Sequence, residues 1–203
     1  GITGSMGLTA VGNALFYEPF KPLAVIAVLF FFVGLGFKIS MAPFHMWAPD
    51  VYEGAPTPVT AFLTVAPKAL GFAVLTRVLD LAFGHYVNLW SPMLVILSML
   101  TMTVGNITAV SQSNIKRFLA YSSIAQAGYI LMGLAVFSIL GRGAVLVYLL
   151  AYLLTNLGAF AVVLFVGGET QSDSLDTYAG LSQRSPVAAA LLTVFLLDRK
   201  SVV

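Results

Sequence analysis

Long apolar runs govern what this chain can fold into. Five stretches of about 20 or more residues carry almost no charge, and that is the length a helix needs to cross a bilayer. Strand-like alternation is absent and the runs are too long for barrel strands, so the sequence predicts helices. The predicted spans cover 23–42, 58–79, 91–111, 118–140 and 143–166, and a further span begins at Val187. The predicted fold is therefore an all-α, polytopic transmembrane helix bundle.

Composition narrows the possible functions. Only 9% of the residues are charged and 59% are hydrophobic, whereas a soluble domain is about a quarter charged. The sequence has no cysteine, which excludes iron–sulfur ligation and zinc–thiolate sites within it, and two histidines are too few for a haem pair with a further site. No basic run, phosphate loop or dinucleotide fingerprint occurs. We therefore expect no cofactor in this chain and no nucleic-acid partner.

The polar segments leave the orientation open. Residues 1–22 are predicted to form a short loop, and 167–186 are predicted to form the one long polar loop. Three basic residues fall on each side of the membrane, so the positive-inside rule does not decide which side is cytoplasmic. Lys116, Arg117 and Arg184 share one side, and Lys21, Arg77 and Arg142 share the other.

The two ends of the sequence indicate a fragment. Residue 1 is Gly rather than Met, and the last six residues cut an apolar run short. Those six residues match the translation of a common sequencing-library adapter. We expect 1–197 to be a piece of a membrane domain and 198–203 to be an artefactual tail; a genuine basic C-terminus is the alternative.

Lys68 interrupts the second apolar run. Its helix is predicted to run from Pro58 to Arg77, which places Lys68 about 15 Å from the start and near mid-bilayer. Ionisable residues at that depth are usually functional, and burial pushes a lysine toward its neutral form. Pro67 lacks an N–H, so it leaves the Leu63 carbonyl without its helical partner. The sequence therefore indicates a proton site; the alternative is a structural lysine bound by the carbonyls of a neighbouring helix.

Lys38 is a second lysine inside an apolar run. Spacing alone would allow it to lie near the membrane interface and snorkel. However, the apolar run continues past it, and Pro43 is predicted to break the helix five residues later. A broken helix exposes backbone carbonyls to a cavity, which is a recurrent device in membrane ion sites.

A proline-rich connection, residues 43–59, follows the predicted break. It is predicted to be a structured re-entrant segment because it holds four prolines and a glycine in 17 residues. His45 is a candidate for proton transfer near neutral pH, and a packed, capping histidine is the alternative. Asp50 and Glu53 are expected to lie at the interface, where they fix the loop or cap the next helix.

Three further polar residues are weaker candidates. Lys116 and Arg117 lie in a short turn and are expected to face the cytoplasm or the lipid headgroups. Gln126 lies inside the fourth span, where its amide is suited to holding a water molecule.

Two motifs together resemble a known family. The segments GFKISMAPFHMWAPDVYEGAPTPVTAFLTVAPKALGFA and GNITAVSQSNIKRFLAYSSIAQAGY resemble the antiporter-like membrane subunits of respiratory NADH:quinone oxidoreductase, complex I, and most closely subunit N. The resemblance covers residues 1–197. It implies two inverted helix repeats, each with a broken helix, of which this sequence holds one broken helix and about five or six spans.

The resemblance also implies roles and partners. Lys38 would be the lysine beside the first broken helix and Lys68 the central lysine of a proton relay. A glutamate upstream and a lysine downstream would complete the relay outside this sequence. Several relatives carry histidine where Gln126 stands, and a glutamine cannot titrate. The implied setting is the bacterial inner (plasma) membrane, with other membrane subunits, lipid and protons as partners, and with NADH, FMN, iron–sulfur clusters and quinone handled by other subunits.

Three other functions remain open from the sequence. A subunit of a multi-subunit sodium/proton antiporter would use the same lysines without electron transfer. A purely structural membrane subunit would not need Lys38 and Lys68 intact. A solute transporter would use its broken helices to enclose a substrate pocket, but no set of substrate-binding residues is visible.

Overall fold

The computed structural model describes residues 6–17 and 22–200, and these are almost entirely helical. The helices are α1 (Leu8–Tyr17), α2 (Pro22–Ile39), α3 (Trp47–Gly54), α4 (Thr57–Leu81), α5 (Val87–Val110), α6 (Ile115–Ala135), α7 (Ile139–Thr170), α8 (Leu181–Arg184) and α9 (Pro186–Lys200). Two short 3-10 helices, Gly84–Tyr86 and Leu175–Tyr178, lie between α4 and α5 and between α7 and α8.

Four of the helical segments are long and apolar enough to cross a membrane. They are Thr57–Leu81, Gly84–Val110, Ile115–Ala135 and Ile139–Thr170. The predicted all-α transmembrane bundle is therefore confirmed. The predicted spans at 23–42 and from Val187 correspond to shorter apolar helices, Val25–Ile39 and Pro186–Leu197, and the ends of the other helices differ by a few residues from the prediction. The largest difference lies between α6 and α7, where Phe137 adopts a left-handed conformation and Ser138 caps α7. The apolar run continues through this turn, so hydropathy alone placed the end of the fourth span and the start of the fifth a few residues too far along the chain.

The prediction of a loop over residues 1–22 is wrong for 8–17. These residues form α1, which packs against the end of α4: a Cβ added at Gly12 would collide with the Leu81 carbonyl oxygen. The Phe16 ring also contacts His85, with 4.6 Å between ring centroids. Lys21 lies outside the described residues. Helix α9 continues to Lys200. The artefactual origin of residues 198–203 stays a prediction.

The predicted helix break is confirmed. Helix α2 ends at Ile39, Ser40 has a φ of 60°, and the Ala42–Pro43 peptide bond is cis. The helix therefore stops before Pro43 is reached, because the left-handed backbone of Ser40 cannot continue a right-handed helix. The re-entrant connection then contains one short helix, α3, before α4 begins.

Helix α6 lies at the centre of the bundle and is buried along most of its length. It packs closely on α5 through small residues, since a Cβ at Gly105 would lie 2.6 Å from the Ala125 nitrogen. Such close backbone contact is typical of membrane helix pairs. The α6 start is fixed by Asn114, whose side chain accepts from the backbone N–H groups of Lys116 and Arg117. The central position of α6 brings its polar residues against α3, α4 and α7.

Candidate functional site

Lys68 lies on α4 and is only 2% exposed. Its Nζ donates to the Ser123 carbonyl oxygen of α6 at 3.0 Å and also to the Ser123 hydroxyl. These acceptors are neutral, so they solvate the ammonium group without adding a compensating charge.

Tyr152 of α7 contacts the same serine. Its hydroxyl lies 2.9 Å from the Thr64 carbonyl oxygen and 3.1 Å from the Ser123 Oγ. A phenol has one proton, so Tyr152 donates to only one of these oxygens at a time. One turn along α7, the Asn156 side chain donates to the Thr64 hydroxyl.

Tyr52 of α3 donates to the carbonyl that Pro67 leaves without a helical donor. The Leu63 carbonyl, which Pro67 deprives of a helical donor, accepts instead from the Tyr52 hydroxyl at 3.3 Å. Tyr52 is fully buried. We call Lys68, Ser123, Tyr52 and Tyr152 the lysine junction.

Lys38 lies beside the lysine junction, at the end of α2. Its side chain is exposed, but its stem runs along α4: a Cβ built at Gly71 would be 3.6 Å from the Lys38 Cγ. Gly71 is three residues beyond Lys68, which is about one helical turn. The structure thus brings the two sequence-predicted lysines onto contacting faces of α2 and α4.

His45 lies in the turn between α2 and α3 and is 7% exposed. Its Nδ1 is buried and makes no hydrogen bond within the described part of the chain, and the same holds for the Ser40 hydroxyl. Buried polar atoms without protein partners are typical places for internal water. The break therefore contains two polar atoms suited to binding water.

A second polar cluster joins three segments at the start of α6. Arg117 pairs with Asp50 and with Glu53, both at 2.7 Å. Lys116 pairs with Asp173, from the segment after α7, at 2.8 Å. We call these five residues the charge clamp. The backbone reinforces it, because the Ile115 N–H donates to the Asp173 carbonyl oxygen at 2.8 Å.

The charge clamp differs from the sequence interpretation of its basic pair. Lys116 does not face headgroups: it is 7% exposed and also donates to the Ala55 carbonyl oxygen at 3.4 Å. Asp50 and Glu53 are placed where they tie α3 to α6. Tyr178 lies near this cluster, and burial together with the charge of Asp173 raises the pKa of Tyr178 to about 12.

Gln126 is buried on α6, one turn beyond Ser123. The Tyr148 hydroxyl of α7 donates to the Gln126 Oε1. A protein hydroxyl therefore contacts the amide that was expected to hold a water molecule, and that expectation stays a prediction. Gln126 and Tyr148 thus form a second polar contact between α6 and α7, farther from the charge clamp than the contact of Ser123 with Tyr152.

A cleft of about 560 Å³ opens between α4 and α7 on the side opposite the charge clamp. Phe72 and Leu149 line its inner end, and Asp80 and Arg142, 2.9 Å apart, line its outer end. Phe72 is one turn from Lys68 along α4. The cleft therefore reaches from one membrane interface toward the level of the lysine junction.

Sequence comparison identifies the family. The profile of the transmembrane family described as NADH:quinone oxidoreductase/Mrp antiporter matches residues 1–201. The chain belongs to this family. The resemblance found in the sequence is thereby confirmed.

Individual relatives of this family agree with the assignment. The chain is 46% identical to NADH-quinone oxidoreductase subunit N of Desulforamulus reducens over 202 residues, which is 100% of this chain and 42% of that relative. A chain of respiratory complex I from Thermus thermophilus is 37% identical, with a TM-score of 0.73 over 95% of this chain and 44% of its own length. The Mrp complex of a Dietzia species shares the fold, with a TM-score of 0.74 at 20% identity over 99% of this chain and 41% of that one. The chain thus spans less than half the length of these relatives.

Four residues of the lysine junction and the charge clamp were not identified as candidates from the sequence: Ser123, Tyr152, Tyr52 and Asp173. Tyr52 stands inside the proline-rich motif, and its place there was the only available signal. Ser123 and Tyr152 are hydroxyl residues in apolar spans. Nothing in their residue types indicates that they contact Lys68, which lies 55 and 84 positions away in the sequence. Their contacts arise only when α4, α6 and α7 pack together.

Proposed function

We propose that the full-length protein is a proton-translocating membrane subunit of NADH:quinone oxidoreductase in a bacterial plasma membrane, and that Lys68 is its central proton site. The observation that carries the proposal is the burial of Lys68 against the neutral oxygens of Ser123. The names of the relatives and the family assignment support the coarser part, the membrane subunit. Other membrane subunits, lipid and protons are the proposed partners, and the redox groups belong to other subunits.

Lys38 supplies electrostatic control in this proposal. Its stem contacts α4 one turn from Lys68, so movement of its ammonium group changes the charge near Lys68. A nearby like charge disfavours protonation of Lys68, and withdrawal of that charge restores it. A conformational change driven by quinone reduction would therefore change the proton affinity of Lys68.

His45 and the cleft serve the two access routes. The buried Nδ1 of His45 and the Ser40 hydroxyl bind water at the helix break, on one side of Lys68. The cleft between α4 and α7, which reaches Phe72, is the proposed water route from the opposite side. Protons then enter the lysine junction from one face and leave toward the other.

The test is Lys68→Ala in the full-length subunit, assembled in its complex and reconstituted in liposomes. Protons pumped per NADH oxidised should fall about tenfold or more, because a relay loses its titratable group. Arg184→Ala, at the end of the short helix α8, is the control and should pump normally. An assembled Lys68→Ala complex that pumps at the wild-type ratio refutes the proposal.

The sodium/proton antiporter subunit stays the second candidate because the family includes Mrp antiporters. Both candidates use Lys68, so the discriminating measurement is quinone-linked activity. Proton translocation that requires NADH and quinone supports the first candidate. Sodium-driven proton movement without an electron donor supports the second.

A further inference from the structure

Helix α2 ends in a Schellman motif whose left-handed residue is not glycine. The Met41 N–H donates to the Gly36 carbonyl oxygen at 2.8 Å, which is one of the two bonds of this motif. The other bond joins the Ser40 N–H to the Phe37 carbonyl oxygen at 3.1 Å. Ser40, with a φ of 60°, stands where glycine is usual, and its side chain makes that conformation unfavourable. Contacts outside the motif must therefore favour this stop.

Trp47 makes such contacts from the other side of the break. It is the first residue of α3, and its indole N–H donates to the Phe37 carbonyl oxygen at 2.9 Å. Its ring also stacks on the Phe37 ring, with 5.3 Å between centroids and 30° between planes. If α2 continued as a regular helix, the backbone of Ser40 would turn right-handed, and the chain after it would be displaced from Phe37. The contacts of Trp47 therefore favour the present stop over a longer α2.

The position of the stop decides where Lys38 lies. Lys38 and Ile39 are the last two residues of α2, and both contact α4. A Cβ built at Gly71 would lie 2.5 Å from the Ile39 Cγ2 and 3.6 Å from the Lys38 Cγ. A different stop would move this last turn against Gly71 and change the distance between Lys38 and Lys68. The bond from Trp47 therefore bears on the charge that is proposed to control Lys68.

We infer that Trp47 is a positioning residue for Lys38: its indole N–H, bonded across the break to the last turn of α2, keeps the helix at its present stop and so holds Lys38 against α4. The inference rests on the proposed function, in which the charge of Lys38 disfavours protonation of Lys68. Without the indole N–H, the last turn of α2 is released from α3 and Lys38 withdraws from α4. Lys68 then binds its proton more tightly, because a like charge has moved away.

Other titratable groups near Lys68 come from the elements packed around α4. They are Lys38 of α2, His45 of the turn after it, Tyr52 of α3 and Tyr152 of α7, while the charged residues of α3 and α6 are paired within the charge clamp. Removal of the indole N–H deletes none of these groups. Histidine titrates near neutral pH, so an indirect effect on His45 would change the acid side of a pH profile rather than its alkaline limb.

The experiment uses Trp47→Phe in the full-length subunit, within the complete complex in liposomes. Phenylalanine keeps an aromatic ring beside Phe37 and removes the N–H. The pH above which pumping per NADH declines should move up by about half a unit to one unit, which corresponds to the net effect of one hydrogen bond. Trp90→Phe is the matched control: its indole N–H also donates to a carbonyl oxygen, that of Phe83, at 2.9 Å, and its loss should leave the profile unchanged.

Substitutions at Ser40 separate the position of the helix stop from a loss of packing. Glycine adopts the left-handed conformation without a steric penalty, so Ser40→Gly should hold the stop without help from Trp47. Ser40→Ala removes the same hydroxyl but keeps the penalty. Trp47→Phe should therefore shift the profile upward in the Ser40→Ala background and leave it nearly unchanged in the Ser40→Gly background, each double variant being compared with its own Ser40 variant.

A second replacement keeps the test possible if Trp47→Phe does not assemble. Trp47→benzothienylalanine keeps the bicyclic ring and carries sulfur in place of the N–H, so it should give the same upward shift. An unchanged or lowered profile in the variant without the N–H overturns the inference. A shift equal to that of Trp90→Phe, or equal shifts in the two Ser40 backgrounds, also overturns it.

The two proposals fail separately. Normal pumping by Lys68→Ala removes the proposed function. Loss of pumping in Lys68→Ala together with an unchanged profile in Trp47→Phe keeps that function and removes only the role of Trp47.

Discussion

The lysine junction and the charge clamp each contain a buried lysine, Lys68 of α4 and Lys116 of α6. The two lysines differ in the groups that accept their hydrogen bonds. Lys68 is 2% exposed and is bound by the carbonyl and hydroxyl of a serine. Lys116 is 7% exposed and pairs with the Asp173 carboxylate at 2.8 Å. The clamp therefore places an opposite charge beside its lysine. In the proposed function, by contrast, the charge of the lysine in the junction changes during translocation.

The position of each cluster fits that difference. The charge clamp joins α3, α6 and the segment after α7 at the end of the bundle, where permanent ion pairs stabilise the connections. The lysine junction lies further inside, where a permanent charge is costly and a removable one is useful. Two helices are common to both clusters. Helix α3 supplies Glu53 to the clamp and Tyr52 to the junction, and α6 supplies Lys116 and Ser123. The clamp thus ties α3 to α6 at one end of the bundle.

Arginine substitution tests the comparison most severely. Arginine stays charged, so Lys116→Arg should keep the pair with Asp173 and near-normal activity, whereas Lys68→Arg should lower pumping by about tenfold or more. The measurement is proton translocation per NADH oxidised by the reconstituted complex. Equal tolerance of arginine at both positions would show that Lys68 does not need to lose its proton.

Packing around the two clusters differs as well, and added methyl groups test it. A Cβ at Gly71 would lie 2.5 Å from the Ile39 Cγ2, at the contact that carries Lys38, whereas a Cβ at Gly168 near the clamp meets nothing within 4 Å. Gly71→Ala should therefore destabilise the α2–α4 contact by about 1–3 kcal/mol, and Gly168→Ala should not. Thermal unfolding of the purified complex, monitored for this subunit, measures both. A Gly71→Ala variant as stable as Gly168→Ala would mean that α2 shifts freely against α4.

Removal of each charge separates stability from function. Lys116→Met leaves Asp173 without its partner, and the cost should be on the order of 2 kcal/mol, between values for exposed and buried pairs. Lys68→Met replaces a buried ammonium with a thioether of similar shape, so stability should not fall by a comparable amount. Denaturation of the assembled variants in detergent provides the measurement. A larger loss for Lys68→Met would reassign that lysine to structure.

The sequence predicts the helices better than the contacts between them. Apolar runs identify spans because the bilayer imposes the same requirement on every segment, and Pro43 marks the break because its ring cannot continue a helix. Helix α1 escapes the prediction because it is short and contains glycine and asparagine. Lys68 is conspicuous as a charge in an apolar run, but Ser123 and Tyr152 become significant only through packing. Lys116 was misplaced for the same reason, since its partner Asp173 lies 57 positions away.

The smallest expected effect concerns Tyr178, beside the charge clamp. Its hydroxyl is buried and has no hydrogen-bond partner within the described residues. An unsatisfied buried hydroxyl destabilises the fold, so Tyr178→Phe should raise the free energy of unfolding by about 1 kcal/mol at neutral pH. The midpoint of thermal unfolding of the assembled complex measures the change.

Alkaline pH should enlarge this difference. The pKa of Tyr178 is raised to about 12 in the folded chain, against about 10 when unfolded, so the folded state holds the phenolic proton longer. Unfolding then releases that proton between these two values, and the wild-type protein loses stability as the pH rises through them. Tyr178→Phe lacks this contribution and should lose less over the same interval. Parallel pH curves for the two proteins would mean that Tyr178 ionises as it does in water, and that the segment after α7 is more open than the charge clamp requires.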